Sequence, residues 1–388
     1  MRKTALFLTL SFLILSPTTT YATTTESSLA PHAASAVLMD ADTGAVIFAK
    51  NPHQRRPIAS VTKLASLLLF MEALDKRQMH ENDSVTTSSY AASMGGSQIF
   101  LKEGEKMSVH DLLKAIALAS ANDATVALAE HLAGTQDRFV AMMNQKSRTL
   151  GLEDTHFQNS NGLPAADHYA SAYDLAQLSR ALLAHKRITM YTSSYSDYIR
   201  KNTPKPFWLV NTNKLIRFYP GMDGLKTGYT KDAKYCLAAT AKRQNLRFIA
   251  VVLGEPTAPI RNAEVAMLMN DGFSRFTKKP LYAKNQTVVM VPVSRGKWKA
   301  VAAITREDVG ILTDKANGNP IVHYVVNWRP VAAPVFQGQK LGEVVGFIQK
   351  SRVVTYDLIA QTDVPKITWW LMIQRIFQDL IHFGSSAS

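Results

Sequence analysis

The spacing of apolar residues changes twice between residues 30 and 276, and this order limits the folds that the chain can adopt. Strand-like apolar runs lie towards both ends of this stretch: 36–40, 45–49, 235–240 and 247–253. Apolar residues at helical spacing lie between them and after the last run: 64–74, 109–133 and 263–276. Asp42 and Gly44 supply turn chemistry between the first two runs, which predicts a β-hairpin. This order predicts an α+β domain over 30–276, with an antiparallel sheet flanked by helices.

The composition of the chain changes near residue 275. Short strand patterns separated by Gly or Asn-Gly follow: 287–291, 300–304, 321–326, 341–348 and 352–359. This spacing predicts a small all-β sandwich over residues 280–362. The chain is also too long for one typical domain, which favours two. The second domain shows no catalytic grouping, so we interpret it as a spacer or interaction domain.

Both ends of the chain carry patterns related to membranes. Arg2 and Lys3 precede an apolar run that is too short to span a bilayer, and small residues end at Ala22, which predicts a cleaved signal peptide over 1–22. Residues 364–384 form a predicted amphipathic helix that begins after Pro365. Its apolar face includes Trp369 and Trp370, which favours attachment at a membrane interface. Packing of this helix against the sandwich is the alternative.

The net charge and the rare residue types exclude some functions. The formal net charge of +14 suits a polyanionic partner or a negatively charged membrane surface. A nucleic-acid partner is not favoured, because no nucleic-acid motif accompanies the charge. The single Cys236 lies in a predicted buried strand and cannot form an intramolecular disulfide. The ten histidines lack metal-ligand spacing, so we expect neither a metal nor a cofactor.

Three short motifs follow one another along the chain. They are Ser60-Val61-Thr62-Lys63, Ser120-Ala121-Asn122 and Lys226-Thr227-Gly228. Each motif alone occurs by chance in many chains, so their order and context carry the signal. Ser60 precedes a helical pattern, Ser120 interrupts one, and Lys226 is close to a strand pattern. This arrangement predicts that the three motifs form one site.

The first motif predicts a nucleophilic serine with its own base. A serine hydroxyl needs a base to remove its proton as it attacks a carbonyl. Lys63 lies three residues after Ser60, and this spacing places both side chains on one face of a helix. An amine acts as a base only if its pKa is lowered, which burial and a nearby cation such as Lys226 would do. The Ser60 backbone N–H, near a helix N-terminus, is suited to stabilise the developing oxyanion.

The motifs and their surroundings resemble the low-molecular-mass penicillin-binding proteins that act as D-alanyl-D-alanine carboxypeptidases. The resemblance covers nearly the whole chain after the signal peptide. It includes four further segments: Gly95-Gly96-Ser97, residues 118–124, residues 151–157 with Asn161-Gly162-Leu163, and residues 223–228. It implies a β-lactamase/penicillin-binding-protein-like transpeptidase fold, with peptidoglycan pentapeptides and β-lactams as ligands. The resemblance implies no cofactor.

The resemblance also implies roles for the second motif. Ser120 would pass a proton to the leaving amine. Asn122 would hold Lys63 and contact the substrate amide. Hydrolysis of the Ser60 acyl-enzyme has no assigned base. Glu153 and Asp154 are available, but the glutamate-to-asparagine pattern of the class A β-lactamase loop is absent, so we expect a long-lived penicilloyl adduct.

The third motif is expected to bind the substrate. Lys226 and Thr227 would meet its terminal carboxylate, because a cation and a hydroxyl match that group. Gly228 would let the substrate approach the strand closely. By resemblance, the Tyr229 backbone N–H is the second oxyanion donor. Arg261 is interpreted as an ordinary surface arginine, with carboxylate contact as the alternative.

These observations predict a serine-type D-alanyl-D-alanine carboxypeptidase that acts through a Ser60 acyl-enzyme. We expect it in the periplasm, with the sandwich as a stalk and the last helix on the inner (cytoplasmic) membrane. A murein DD-endopeptidase, a β-lactamase and a non-catalytic peptidoglycan-binding protein remain alternatives. The sequence leaves the oligomeric state open, with a dimer among the options.

Overall fold

The computed structural model describes residues 29–201, 203–318, 320–349 and 351–374. The predicted signal peptide, residues 1–22, lies outside the described residues. The predicted C-terminal helix is described only in its first part, where residues 369–374 are helical. Among the described residues, no helix combines the length and the apolar character that crossing a bilayer requires.

The elements alternate in the first two thirds of the chain and are almost all strands afterwards. The helices are α1 (Lys63–Asp75), α2 (Ser89–Ala92), α3 (Val109–Lys114), α4 (Asn122–Ala133), α5 (Gln136–Thr149), α6 (Ala172–Leu183), α7 (Ile188–Thr192), α8 (Leu215–Phe218) and α9 (Ala258–Arg275). The strands of the first part are β1 (Ser35–Asp40), β2 (Val46–Lys50), β3 (Ser84–Thr86), β4 (Lys106–Ser108), β5 (Ser196–Ile199), β6 (Phe207–Val210), β7 (Met222–Thr230), β8 (Lys234–Arg243) and β9 (Leu246–Glu255). The strands of the second part are β10 (Phe276–Tyr282), β11 (Thr287–Ser294), β12 (Ala300–Thr305), β13 (Val309–Asp314), β14 (Val322–Trp328), β15 (Val331–Ala332), β16 (Lys340–Ile348) and β17 (Ser351–Ala360).

A five-stranded antiparallel sheet forms the centre of the first domain, in the order β2-β1-β9-β8-β7. Its central strand β9 is buried on both faces. Ile249 and Val251 belong to the core shared with α1, α4 and α6, whereas Phe248 and Ala250 belong to the core shared with α9. Side chains of a strand alternate between its two faces, so β9 separates two layers of helices. The predicted α+β fold with its opening hairpin is therefore confirmed.

Two details of this domain differ from the sequence prediction. The Lys226-Thr227-Gly228 motif was predicted at the beginning of the strand that contains residues 235–240, whereas it lies within a separate strand, β7, which pairs with that strand. Helix α9 begins at Ala258 instead of 263, because Thr257 caps it by accepting a hydrogen bond from the Ile260 N–H at 3.3 Å. The first turn contains a proline and polar residues, which hide its helical spacing.

The second domain contains two sheets. The larger has six strands in the order β14-β16-β17-β12-β11-β15, and the smaller pairs β10 with β13. Tyr356 of β17 donates a hydrogen bond to the Gly310 carbonyl of β13 at 2.8 Å and so links the two sheets. The sequence prediction missed β10, β13 and the two-residue β15. The lysines and the proline of β10 conceal the apolar alternation that identified the other strands.

The two domains meet around β10. Lys278 of β10 forms an ion pair with Asp42, in the β1–β2 turn of the first domain. Arg275 at the end of α9 pairs with Asp314 of β13 at 3.2 Å. Lys284, Arg306 and other side chains of the second domain line cavities against the first domain. These contacts show which end of the second domain faces the sheet of the first.

Candidate active site

Ser60 and Lys63 lie at the start of the buried helix α1. A 3-10 turn, Ala59–Thr62, carries Ser60 and leads directly into α1, whose first residue is Lys63. The Lys63 side chain is fully buried, and its Nζ lies 3.0 Å from the Ser60 Oγ. The predicted contact between the two side chains is therefore present.

Two glycines allow the turn that carries Ser60 to pack tightly against its neighbours. Gly162 has a φ of +86°, and a Cβ on it would lie 2.0 Å from the Ala59 carbonyl oxygen. A Cβ on Gly228 would lie 2.6 Å from the Ile58 carbonyl oxygen. Gly228 is therefore also needed for packing inside the protein, because the backbone of the Ser60 turn fills the space that a Cβ would take; its predicted role in the approach of substrate stays a prediction.

We expect Gly162→Ala to disrupt this turn. The new Cβ would overlap the Ala59 carbonyl, and the left-handed backbone would be strained as well, so a loss of about 2–4 kcal/mol in the free energy of unfolding is expected. Urea denaturation measures this loss. Gly151→Ala is the matched control, because Gly151 also has a positive φ, +68°, but has open space around its Cβ position. Equal losses in the two variants would contradict the packing argument.

The contacts of Lys63 fit a neutral amine. Its Nζ lies 2.7 Å from Asn122 Oδ1 and 2.5 Å from the Asn161 carbonyl oxygen. The Asn122 amide is oriented by its Nδ2, which donates to the Gly95 carbonyl at 2.7 Å, so its oxygen faces Lys63. A neutral amine has two hydrogens and one lone pair. Because the two amide oxygens can only accept, they take both hydrogens, and the lone pair is left for the Ser60 hydroxyl.

The surroundings of Lys63 also favour the neutral form electrostatically. Burial lowers the pKa of Lys63 well below its ordinary value, the nearby Lys226 lowers this pKa further, and Asp123 opposes the shift. Burial and then the charge of Arg261 lower the pKa of Lys226 to about 7. Desolvation penalises an ammonium ion, and like charges at short range add to this penalty. Burial and a nearby cation, the two causes that the sequence analysis predicted for a lowered pKa of Lys63, are thus both present.

Ser120 and Asn122 lie at a polar corner between two helices. Helix α3 continues as a π-helical turn, Ala115–Ala119, and Ser120 then takes a left-handed conformation before α4 begins at Asn122. The Ser120 Oγ is buried and has no hydrogen-bond partner among the described residues. A buried hydroxyl without a partner is costly, so this group is suited to a ligand that supplies the missing bond.

Asp123 fixes the segment opposite this corner. Its buried carboxylate accepts hydrogen bonds from the backbone N–H groups of Ile99 and Leu101, at distances between 3.0 and 3.2 Å. The same segment includes Gly95, whose carbonyl orients the Asn122 amide. The second motif is therefore held by backbone hydrogen bonds as well as by its helix.

Strand β7 brings the third motif to the same place. It is an edge strand, and Gly228 packs it against the turn of Ser60. Lys226 is buried and donates to the Thr227 carbonyl at 3.1 Å, and the Thr227 hydroxyl donates to Thr212 Oγ1 at 2.7 Å. The Tyr229 side chain is 57% exposed, and its ring centroid lies 4.4 Å from that of Tyr235. An exposed strand edge can pair with an extended peptide.

Arg261 is buried, so its interpretation as a surface arginine is wrong. It lies in the first turn of α9 with only 5% of its surface exposed, and its guanidinium donates to Asn262 Oδ1. Its charge contributes to the lowered pKa of Lys226. An arginine is usually exposed, so the sequence gave no sign of this burial, which results from the packing of α9 against the sheet.

His168 ties a distant loop to the turn of Ser60. Its Nδ1 accepts a hydrogen bond from the Gln158 N–H at 3.0 Å, so its Nε2 carries the hydrogen that faces Thr62 Oγ1 at 2.7 Å. The Thr62 hydroxyl in turn donates to the Ala59 carbonyl at 2.7 Å. This chain of bonds requires a neutral imidazole, since a protonated ring could not accept at Nδ1.

Acid is expected to weaken the structure through His168. Burial and then the charge of His156 lower the pKa of His168 from 6.5 to about 4. Between these values the unfolded chain binds a proton that the folded chain does not, so the free energy of unfolding falls as the pH falls, by up to about 3 kcal/mol. Urea denaturation of wild type and of His168→Gln at several pH values from 7 to 4 measures this. A decline of equal size in the variant would contradict the prediction.

The candidate site residues thus form one cluster around Ser60. The sequence analysis named Asn161 only as part of a segment that resembles the family and gave it no role. In the structure, its carbonyl oxygen contacts the Lys63 Nζ directly. Asp154 instead forms a surface ion pair with Arg55, and its other carboxylate oxygen lies 3.2 Å from His53 Nδ1. Among the described residues, no group of three or more His, Cys, Asp or Glu side chains is arranged to hold a metal ion.

Comparison with known proteins agrees with this geometry. A family profile described as D-alanyl-D-alanine carboxypeptidase matches residues 22–257, and one described as the C-terminal domain of penicillin-binding protein 5 matches residues 276–366. The chain is 46% identical over 358 residues to the D-alanyl-D-alanine carboxypeptidase DacF of Bacillus subtilis, and the match covers 92% of each chain.

Solved structures show the same fold. The structure of penicillin-binding protein 5 from Haemophilus influenzae matches with a TM-score of 0.67 and 30% identity, over 86% of this chain and 98% of that one. Penicillin-binding protein D2 from Listeria monocytogenes, solved in an ampicillin-bound form, matches with a TM-score of 0.57 and 30% identity, over 62% of this chain and 98% of that one. The predicted fold class is confirmed, and the chain belongs to the D-alanyl-D-alanine carboxypeptidase family of penicillin-binding proteins.

Proposed function

We propose that this protein is a serine-type D-alanyl-D-alanine carboxypeptidase that removes the terminal D-alanine from peptidoglycan pentapeptide stems. Its family and its relatives support this activity. The observation that carries the mechanism is the position of the buried Lys63 Nζ, which lies 3.0 Å from Ser60 Oγ, 2.7 Å from Asn122 Oδ1 and 2.5 Å from the Asn161 carbonyl oxygen.

The reaction has two stages. In the first, the Ser60 Oγ attacks the carbonyl of the penultimate D-alanine, and its proton passes to the Lys63 Nζ. The backbone N–H groups of Ser60 and Tyr229 stabilise the oxyanion. The C–N bond then breaks, Ser120 passes its proton to the leaving amine and regains one from the Lys63 ammonium, and D-alanine departs. In the second stage, water hydrolyses the Ser60 ester and restores the hydroxyl.

The substrate carboxylate would bind beside β7. The cationic Lys226 and Arg261 lie near one another there, and the Thr227 hydroxyl belongs to the same strand. A carboxylate beside Lys226 favours its protonated form, since opposite charges stabilise each other. The carboxylate-binding roles proposed for Lys226 and Thr227 thus rest on the positive charge near Lys226 and on the position of Thr227 next to it on β7.

One assay distinguishes this activity from its alternatives. The enzyme is given a pentapeptide that ends in D-alanyl-D-alanine, the same peptide with a C-terminal amide, and a cross-linked dimer of stems. We expect D-alanine release from the first and little from the second, because the amide lacks the carboxylate that β7 would bind. Preferential cleavage of the cross-linked dimer would favour the endopeptidase, and absence of any cleavage would favour a binding protein.

β-Lactams are proposed to acylate the same serine. A β-lactam presents an amide carbonyl and a carboxylate, as the peptide does, and the similar Listeria protein was solved with ampicillin bound. Asp154 is ion-paired with Arg55, and the glutamate-to-asparagine pattern of the class A β-lactamase loop is absent from the sequence, so no base is assigned to hydrolysis of the ester. A long-lived adduct follows, whereas rapid turnover of penicillin without an adduct would favour a β-lactamase.

We also propose that the protein acts in the periplasm, attached to the inner (cytoplasmic) membrane by its C-terminal helix, after removal of the signal peptide over 1–22. In the described part of this helix, Trp369 and Trp370 are 71% and 66% exposed. Exposed tryptophans at the start of an amphipathic segment suit a bilayer interface.

A deletion tests the attachment. It removes residues 368–388 and keeps Val364, which is buried and pairs with Val335. We expect active enzyme to move from the membrane fraction to the soluble fraction. Trp369→Ala together with Trp370→Ala is expected to do the same in part, and full retention of the deleted protein on membranes would overturn the attachment.

A further inference from the structure

The turn between β11 and β12 lies beside the start of the C-terminal helix. The Lys297 N–H donates to the Pro365 carbonyl at 2.8 Å, and the Ile367 N–H donates to the Arg295 carbonyl at 2.9 Å. Gly296 and Lys366 form an antiparallel bridge. The turn and the segment that leads into the helix therefore form one structural unit.

This unit lies at the end of the second domain that is remote from the catalytic domain. Lys284, just before β11, and Arg306, just after β12, both line cavities against the first domain. The eight residues of β11 span about 23 Å away from that junction. The β11–β12 turn is thus the distal tip of the domain, and the chain returns to it along β12 before the helix begins.

The distal tip is both basic and aromatic. Its exposed basic side chains are Arg295, Lys297, Lys299 and Lys366. Its exposed aromatic side chains are Trp298 at 55% and the two tryptophans of the helix. The Lys297 Nζ lies 5.3 Å from the centroid of the Trp298 ring. Lysine and arginine beside exposed tryptophan is the combination that suits the headgroup region of a bilayer.

We propose that the β11–β12 turn is a second membrane contact, which binds anionic phospholipid headgroups through Arg295, Lys297 and Lys299 and inserts Trp298 at the interface. The inference rests on the membrane attachment proposed above and adds a separate element to it. A helix alone leaves the stalk free to tilt. Two contacts at the same tip hold the long axis of the second domain away from the bilayer and fix the distance of the Ser60 site from the lipid.

The charge of the turn is tested on the full chain with vesicles. Arg295→Gln, Lys297→Gln and Lys299→Gln are combined, and binding is measured by flotation with phosphatidylcholine vesicles that contain or lack phosphatidylglycerol. We expect the affinity for the anionic vesicles to fall roughly fivefold for each charge removed. Affinity for the neutral vesicles is expected to stay unchanged.

A matched control separates the turn from net charge. Arg77→Gln, Lys102→Gln and Lys205→Gln remove the same charges from exposed positions of the catalytic domain. This control is expected to bind anionic vesicles as wild type does. Equal weakening in both triple variants would show that only overall charge matters and would overturn the proposal.

The aromatic part of the proposal has its own pair of variants. Trp298→Ala is expected to weaken binding to both vesicle types, because insertion of an indole does not require lipid charge. Trp208→Ala is the control, since Trp208 is 57% exposed on β6 of the catalytic domain. D-Alanine release in solution, measured for every variant, shows that each is folded.

The outcomes distinguish the turn from the helix. Wild-type binding that is insensitive to anionic lipid and unchanged in the turn variants would overturn the second contact while leaving the helical anchor intact. Absence of wild-type binding to either vesicle type would overturn both. Loss of anionic affinity in the turn variants, with residual binding to neutral vesicles, supports the proposal.

Discussion

Replacing Ser60 by alanine is expected to abolish both D-alanine release and reaction with penicillin. The Ser60 Oγ lies 3.0 Å from the buried Lys63 amine, and its removal leaves the base without a nucleophile. Loss of a catalytic nucleophile typically lowers kcat by about 10⁴-fold or more. Release of D-alanine from a pentapeptide measures the first effect, and intact-protein mass spectrometry after exposure to penicillin measures the second.

A neighbouring serine provides the control for this variant. Ser66 lies on α1, which directly follows the turn of Ser60, and its hydroxyl donates to the Ser160 carbonyl at 2.6 Å. Ser66→Ala is expected to lower stability by about 1 kcal/mol through loss of that bond while still forming the penicillin adduct. An adduct that persists in Ser60→Ala would place the nucleophile elsewhere. Peptide mapping would then show whether Ser120, whose buried hydroxyl has no partner in the described part of the chain, reacts instead.

The sequence predicts the local parts of this site well. The spacing of Ser60 and Lys63 depends on one helical turn, so their contact can be predicted from sequence alone. The opening hairpin follows in the same way from two apolar runs and a turn. The nearness of Lys226 to Lys63 is not local, and it was predictable only because the motifs resemble a known family.

The parts that the sequence did not predict depend on tertiary packing. The Asn161 carbonyl meets Lys63 through a loop nearly one hundred positions away, and nothing in its local pattern indicates this contact. Arg261 is buried because α9 packs against the sheet, although arginine is a residue type that is usually exposed. Gly228 lies so close to the backbone at Ile58 that a side chain there would overlap it. In each case the contacting residues are remote in sequence. Neither the spacing of apolar residues nor the local composition carries information about such a contact.

The same limit applies to the second domain. The edges of β10 and β13 pair across more than 25 intervening residues, and β10 contains lysines and a proline that weaken its strand pattern. Long-range pairing of this kind follows from the fold of the whole domain. The all-β nature of this domain could nevertheless be predicted from five strands with clear apolar runs. These five strands all belong to the larger sheet.

Replacing Lys63 by arginine is expected to lower the rate of Ser60 acylation by about a thousandfold or more. Arginine stays protonated and cannot accept the hydroxyl proton, and loss of a general base costs about 10²–10⁴-fold. In wild type, only the neutral amine has a lone pair for this proton, so kcat/KM should rise with pH up to the pKa of Lys63. Because burial and Lys226 lower that pKa, the rise should end well below the ordinary lysine range.

The pH profile of the variant decides whether Lys63 is the base. Lys63→Arg should lose the rising limb, whereas Lys114→Arg should keep it, since Lys114 is also buried but is paired with Asp197 at 2.9 Å. A rising limb that persists in Lys63→Arg with its midpoint near 7 would point to Lys226, whose pKa is lowered to about 7. The amine that faces Ser60 would then only position the hydroxyl. The contacts favour Lys63, because Asn122 and Asn161 take both hydrogens of its neutral form and leave its lone pair directed at the nucleophile.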